Sequence, residues 1–304
     1  MSKRSSSKSV IFSALLANLF IAFIKSIVAL ITRSSAMLAE AIHSAADTLN
    51  QVLLLIGIKK GKREPDSLHP FGFSGELYFW SFIVAIILFT AGAAFSIYEG
   101  IYKLMHPAPI QNIKYAFLVL IFSLLAEGFA FCRALKKVNR ERCEMQVFTY
   151  LRRTKKSELI VVFLEDLAAI LGLSFALVLI FIQHLTGVLI FDGIASIVIG
   201  CILCAVALFM GNETRSLLLG ESADPKLIRK ISAIFEDEES INRLIYIKSL
   251  QLGPNDILVS IKVEFNHRLN TVEISNLING IEKEIRSRFP DVRQIFIEPD
   301  IFKT

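Results

Sequence analysis

The stretch AMLAEAIHSAADTLNQVLLLIGI, residues 36–58, decides how the whole chain is read. It is long enough to cross a hydrocarbon core about 30 Å thick, which needs about 20 apolar helical residues. Within it Glu40, His43 and Asp47, followed by Asn50 and Gln51, recur every three or four residues, so a helix gathers them on one face. Ionisable groups inside a span are expensive, and each needs a partner or a purpose. Working outward, five more stretches have the same length and character: Val10–Ile31, Leu77–Ile101, Tyr115–Leu135, Leu159–Gln183 and Ile190–Met210. The first is too long to be a removed signal peptide, and it lacks a small-residue cleavage site before the next span. Of 304 residues 54% are hydrophobic and only 20% charged, which excludes a soluble protein of about two domains. The expectation is an α-helical polytopic membrane protein with six transmembrane helices.

The basic residues alternate from one connection to the next. Lys3, Arg4 and Lys8 precede the first span, Lys59, Lys60, Lys62 and Arg63 follow the second, and more fill the connection from Arg133 to Lys156. The opposite connections carry little beyond Arg33, Lys103 and Lys114. Lys and Arg are retained on the cytoplasmic side, so both termini are expected there, with the chain in the cell or inner membrane if it is bacterial. The net charge of +5 then reports topology, and no nucleic acid is expected as a partner. Cys132, Cys143, Cys201 and Cys204 lie in or beside apolar segments and read as free thiols, with the Cys201-Ile-Leu-Cys204 pair as small apolar packing.

From about Gly220 the composition becomes that of a soluble domain. Pro225–Asp237 reads as a helix, Leu244–Leu252 as a strand and Gly253-Pro254-Asn255-Asp256 as a turn. Ile257, Val259, Ile261, Val263 and Phe265 alternate with Leu258, Ser260, Lys262 and Glu264, the period of a half-buried strand. Thr271–Arg288 is a helix with the apolar stripe Ile274, Leu277, Ile278, Ile281 and Ile285, and Val292–Ile297 is a last strand. The order αββαβ predicts a cytoplasmic, ferredoxin-like α+β domain over residues 220–304, behind a transmembrane domain over 1–219.

Two spans concentrate the acids. His43 and Asp47, at i and i+4, can close on one divalent ion through imidazole nitrogen and carboxylate oxygen, and the fifth span adds Glu165 and Asp166. A permeating cation is the natural counter-charge for such carboxylates. The competing reading of His43 and Asp47 is a hydrogen-bonded pair that seals two helices. Glu127 and Asp192 are weaker ligand candidates, Asp192 as a cap of its own helix. Lys25 is expected to pair with a carboxylate or to snorkel rather than to touch cargo.

With these residues in place the chain resembles the cation diffusion facilitator family, the divalent-metal exporters of solute carrier family 30. The resemblance runs through Ser35-Ala36-Met37-Leu38-Ala39-Glu40-Ala41-Ile42-His43-Ser44-Ala45-Ala46-Asp47, then His69-Pro70-Phe71-Gly72, then Ser96-Ile97-Tyr98-Glu99-Gly100 with His106-Pro107. Asp47-Thr48-Leu49-Asn50-Gln51 together with Glu165-Asp166-Leu167-Ala168-Ala169 is similar to the zinc transporter nine-like branch. The resemblance implies a homodimer in the lipid bilayer that exports Zn²⁺ against H⁺ by alternating access, with no resident cofactor and no enzymatic step. It implies a metal held by His43, Asp47 and Asp166, with Val162 where the family carries a fifth-span His, and with water or Glu165 as fourth ligand. Glu40, Asn50 and Gln51 would form a supporting polar face. Asp66 and His69 would form a weak accessory site, because Phe73 replaces a second His. Phe296-Ile297-Glu298, Ile274 and Ser275 stand where the tail of the family often carries ligands, and His267 is the domain's one His, so the tail is expected to dimerise by packing.

Neutral His43 and ionised Asp47 and Asp166 are needed to bind metal, so protons compete for the same site. Export of Mn²⁺, Fe²⁺ or Co²⁺ remains open, as does a membrane scaffold with a vestigial metal site. A metalloprotease is disfavoured, since no His-Glu-x-x-His occurs.

Overall fold

The computed structural model describes residues 3–142 and 144–302 and, in the first helix, the side chains of Leu15 and of residues 18–32. The helices are α1 (Lys3–Thr32), α2 (Ser35–Lys60), α3 (Glu76–Ile87), α4 (Phe95–Met105), α5 (Ile113–Glu141), α6 (Val147–Arg153), α7 (Ser157–Thr186), α8 (Ile190–Leu219), α9 (Pro225–Glu236) and α10 (Thr271–Arg288). The strands are β1 (Ile241–Gly253), β2 (Asp256–Phe265) and β3 (Val292–Pro299). Among the described residues five segments are long and apolar enough to cross a membrane: α2, the continuous run Glu76–Met105, α5, α7 and α8. In α1 the apolar stretch with described side chains is Asn18–Thr32. The rest of the predicted first span, apart from Leu15, lies outside the described side chains, as do those of Lys3, Arg4 and Lys8, and Cys143 lies outside the described residues. The chain is a polytopic helical membrane protein with a small α+β tail.

It divides into two units. The first comprises Met1–Gly57, Trp80–Arg152 and Ser157–Thr214; the second comprises Ile58–Phe79, Arg153–Lys156 and Arg215–Thr304.

In the first unit α5 packs along α7 and α1 along α5. The contact of α4 with α8 is made by glycine. A Cβ on Gly100 would stand 2.6 Å from Ile197 Cγ1 and 2.7 Å from the Gly193 carbonyl, and one on Gly200 would stand 2.6 Å from Ile97 Cγ1. Small residues that let backbones touch are how helices associate where lipid is as apolar as leucine. Two features differ from the sequence expectation. The third span is not a regular helix, because Leu88–Ala94 between α3 and α4 is π-helical. The connection after α5 contains α6, whose Tyr150 and Leu151 are buried.

In the second unit β1 and β2 pair antiparallel, β2 and β3 pair parallel, and the sheet order is β1-β2-β3. The predicted alternation places Ile257, Val259, Ile261, Val263 and Phe265 in the core with Ile231, Ile234 and Phe235 of α9 and Ile281 and Ile285 of α10. Asp224 caps α9 by accepting from Lys226 N at 2.7 Å. Asn270 and Glu273 start α10 with a reciprocal capping box. The connection after α2 belongs to this unit: Ser74 Oγ donates to Asp256 Oδ2 at 2.6 Å, and Phe71 meets Phe296 edge-on at 6.4 Å.

Candidate functional site

An open cleft lies in the first unit. From α2 it is lined by Ser44, Asp47 and Gln51, at i, i+3 and i+7; from α7 by Val162, Glu165 and Asp166, at i, i+3 and i+4. These spacings put each trio on one helical face. α5 adds Glu127, and α1 adds Asn18 and Ile21. Among the described residues the wall thus carries four carboxylates and no basic side chain.

His43 does not line the cleft. Its ring is 1% exposed, and its Nε2 stands 3.5 Å from Asp47 Oδ2, so it lies behind that carboxylate. Glu165 accepts from Asn50 Nδ2 at 2.6 Å, which ties α2 to α7. Along α2, Glu40 Oε1, both ring nitrogens of His43, Asp47 Oδ1 and Asn50 Oδ1 are buried without a hydrogen-bond partner among the described residues. Such atoms are rare in folded proteins, and here they lie on one face of one helix. Among the described residues, no three His, Cys, Asp or Glu side chains stand together as a ready-made metal cluster. Val162, where the second imidazole of the resemblance would stand, faces the cleft one turn before Asp166.

Glu40 has another commitment: Lys25 Nζ donates to its Oε2 at 3.2 Å and to Ser44 Oγ at 2.8 Å, and both charged groups are fully buried. Pairing, rather than snorkelling, is therefore how Lys25 is accommodated. Asp192 caps α2 rather than its own helix. Its carboxylate accepts from Ser34 Oγ at 2.5 Å, Ser35 N at 2.9 Å and Ala36 N at 3.2 Å, and it pairs with Lys103 Nζ at 3.5 Å. An acidic group at a helix N-terminus meets both the free amides and the dipole.

At the accessory position, Asp66 Oδ1 accepts from His69 N at 2.7 Å, from Leu68 N at 3.0 Å and from His69 Nδ1 at 3.1 Å. The His69 backbone amide, foremost, holds the Asp66 carboxyl below its ordinary value of 3.8. Phe73 lies against the His69 ring at 4.4 Å and carries Arg63 over its face at 4.6 Å. In the tail, Lys262 gathers Glu298 at 3.3 Å and Asp300 at 2.6 Å.

Asn18 escaped the sequence reading, and Glu127, one of its weaker candidates, lines the same cleft. Both come from helices other than the two that carry the motif. The signal for Asn18 lies in the hairpin: α1 and α2 turn at Arg33, which has φ of 54°, so residues equally far from it on either side meet. Asn18 lies opposite Asp47, as Lys25 lies opposite Glu40.

Comparison with known proteins agrees with this architecture. Residues 11–219 match the family of the cation efflux transmembrane domain. The chain is 32% identical over 264 residues to the mitochondrial proton-coupled zinc antiporter SLC30A9 of Homo sapiens, covering 86% of this chain and 46% of that protein. It is 32% identical over 238 residues to metal tolerance protein C4 of Arabidopsis thaliana, covering 78% and 52%. With the manganese efflux system protein MneP of Bacillus subtilis the identity is 24% over 294 residues, covering 96% and 95%. The chain spans about half the length of the first two of these relatives. A transmembrane match over more than half the chain, with this identity to SLC30A9, places it in the cation efflux family, the cation diffusion facilitators, on the SLC30A9-like branch.

Proposed function

We propose that the chain exports divalent metal cations, with Zn²⁺ as main cargo, by proton-coupled antiport. The reading is carried by the row of polar atoms on α2 that have no partner among the described residues, beside a cleft lined, among those residues, by four carboxylates and no basic side chain. Each buried polar atom left without a partner costs about 1–3 kcal/mol, and one cation satisfies several together. Asp47 and Asp166 supply charged oxygens, His43 supplies nitrogen from behind Asp47, and Glu165 or water takes the fourth place. Because the ligands are not pre-assembled, the ion closes the site by drawing α2 and α7 side chains inward. Gln51 and Asn50 support that face, Asn50 by holding Glu165.

Protons and metal compete for the same lone pairs, since binding needs neutral imidazole and ionised carboxylates. Protonation from the acidic side releases the ion, and the proton returns on the empty carrier. A site between helices suits rocking between inward- and outward-open states. The working unit is a homodimer in the bilayer with both termini cytoplasmic. Residues 1–219 form its transport domain, and residues 220–304 dimerise it by packing. Asp66 and His69 serve as a turn more than as a second site. The zinc antiporter named among the relatives supports zinc and proton coupling.

A second reading, Mn²⁺, Fe²⁺ or Co²⁺ export, is favoured by Val162 in place of a nitrogen ligand, since oxygen-rich sites suit manganese. The manganese efflux relative points the same way. Flux of Zn²⁺, Mn²⁺, Co²⁺, Fe²⁺ and Cd²⁺ in proteoliposomes separates the two, and no flux of any ion would favour a scaffold instead. Asp47→Asn and Asp166→Asn should each abolish flux in a folded protein. Near-normal flux in either variant refutes the site assignment.

A further inference from the structure

Lys25 is the fully buried cation of α1, and its ammonium is shared between Glu40 Oε2 and the Ser44 hydroxyl. Ser44 lines the cleft and Glu40 does not, so the Lys25 amine stands one hydroxyl behind the wall. Glu40 is one turn before His43 on the same face of α2. Its other oxygen, Oε1, has no partner and abuts α7 at Gly172, where a Cβ would stand 2.9 Å from it. The missing side chain at Gly172 is what leaves room for this carboxylate between the two helices.

Without Lys25, Glu40 would be a buried carboxylate with no counter-ion, one turn from the site. A membrane interior does not tolerate that state, so the freed carboxylate takes up either a proton or a cation, and a divalent ion held in the cleft competes with the proton for it. We propose that Lys25 is a specificity-determining positioning residue: by holding Glu40 in an ion pair it keeps that carboxylate out of the ligand set, and so fixes how many oxygens the transported ion meets. The inference rests on the cleft being the transport site. Carboxylate oxygens favour manganese relative to zinc, so each one added shifts preference in a known direction.

The test measures Mn²⁺ and Zn²⁺ binding to the full chain in detergent by competition with a chelating dye, alongside flux of both ions in proteoliposomes. Lys25→Met should tighten Mn²⁺ binding about tenfold with little change for Zn²⁺, as an added charged ligand does at other oxygen sites. Lys25→Met combined with Glu40→Gln removes the freed carboxylate and should return the Mn²⁺ to Zn²⁺ ratio to the wild-type value. A wild-type ratio in Lys25→Met overturns the inference, and so does a raised ratio that survives in the double variant. A merely structural lysine would lower stability in Lys25→Met without moving the ratio. Should Lys25→Met fail to fold, Glu40→Gln decides: with Glu40 outside the ligand set, both ions weaken in equal proportion, and a changed ratio overturns the proposal. A wild-type protein that binds neither ion overturns the transport reading itself, whereas wild-type binding with an unmoved ratio in the variants overturns the role of Lys25 alone.

Discussion

Asp192→Ala is the most informative single perturbation outside the cleft. The carboxylate does two things: it caps α2 through Ser34 Oγ, Ser35 N and Ala36 N, and it neutralises Lys103, which is 7% exposed. Loss of a cap costs about 1 kcal/mol. Removing one partner of a buried pair costs about 3–5 kcal/mol, and the lower end applies because Lys103 Nζ keeps its 2.7 Å bond to the Arg33 carbonyl. The sum for Asp192→Ala is roughly 4 kcal/mol. Asp192→Asn keeps an acceptor of the same shape and should lose roughly half of that. Asp192→Ala combined with Lys103→Met removes the orphaned charge and should recover roughly 2–3 kcal/mol. Denaturation midpoints of the purified protein in detergent give the three values, and hydrogen exchange at the first turn of α2 reports the cap separately. Equal destabilisation in Asp192→Ala and in the double variant would refute the ion-pair argument. Unchanged exchange at Ser35 and Ala36 would refute the cap.

Val162→His places an imidazole one turn before Asp166 on the cleft-facing side of α7, so Zn²⁺ and Cd²⁺ binding and flux should rise relative to Mn²⁺, with slower release. A folded variant with unchanged preference, measured in the same flux panel, would show that residue 162 does not reach the ion. In the connection after α2, the depressed Asp66 carboxyl gives the turn a stability that is complete above its ordinary value of 3.8 and is lost as pH falls through the lower folded value. The Asp66 side-chain carboxyl signal followed by NMR should titrate below 3.8, and titration at or above that value would show that the His69 amide does not hold it.

The spans and the tail were legible because burial imposes a period. Apolar runs of membrane length gave α2, α5, α7 and α8, and the alternation from Ile257 to Phe265 gave β2 with its inward face correct. Spacing on one helix also put Asp47 and Gln51 on a common side. Contacts between helices were not legible in this way, since no period within one helix says which neighbour it meets. Asp192 looks like a cap of α8 when only its own helix is in view, yet it caps α2, which starts 157 residues earlier. Glu127 lacks a partner at helical spacing, and only the packing of α5 on α7 brings it to the cleft. His43 shows the reverse limit. Its i, i+4 relation to Asp47 holds, but depth decides that the carboxylate faces the opening and the ring stands behind it. The π-helical stretch carries no proline to announce it.

A π turn holds one residue more than the α turn it replaces. Leu88–Ala94 therefore acts as a phase shift within a single span, with Ser81, Val84 and Leu88 turned inward before and through it and Gly92, Ser96 and Gly100 turned inward through and after it. Were these same residues to run on as a regular α-helix with none deleted, everything beyond would swing by about 100°. Gly100 would leave its notch against Ile197, and Lys103 would be carried away from both Asp192 and the Arg33 carbonyl. The π form and the extra residue are thus two aspects of one feature. A descendant that loses one residue here keeps the α4–α8 contact as a plain α-helix, whereas a loss elsewhere in the span turns Gly100 out of its notch, so the π form and the extra residue should be inherited together.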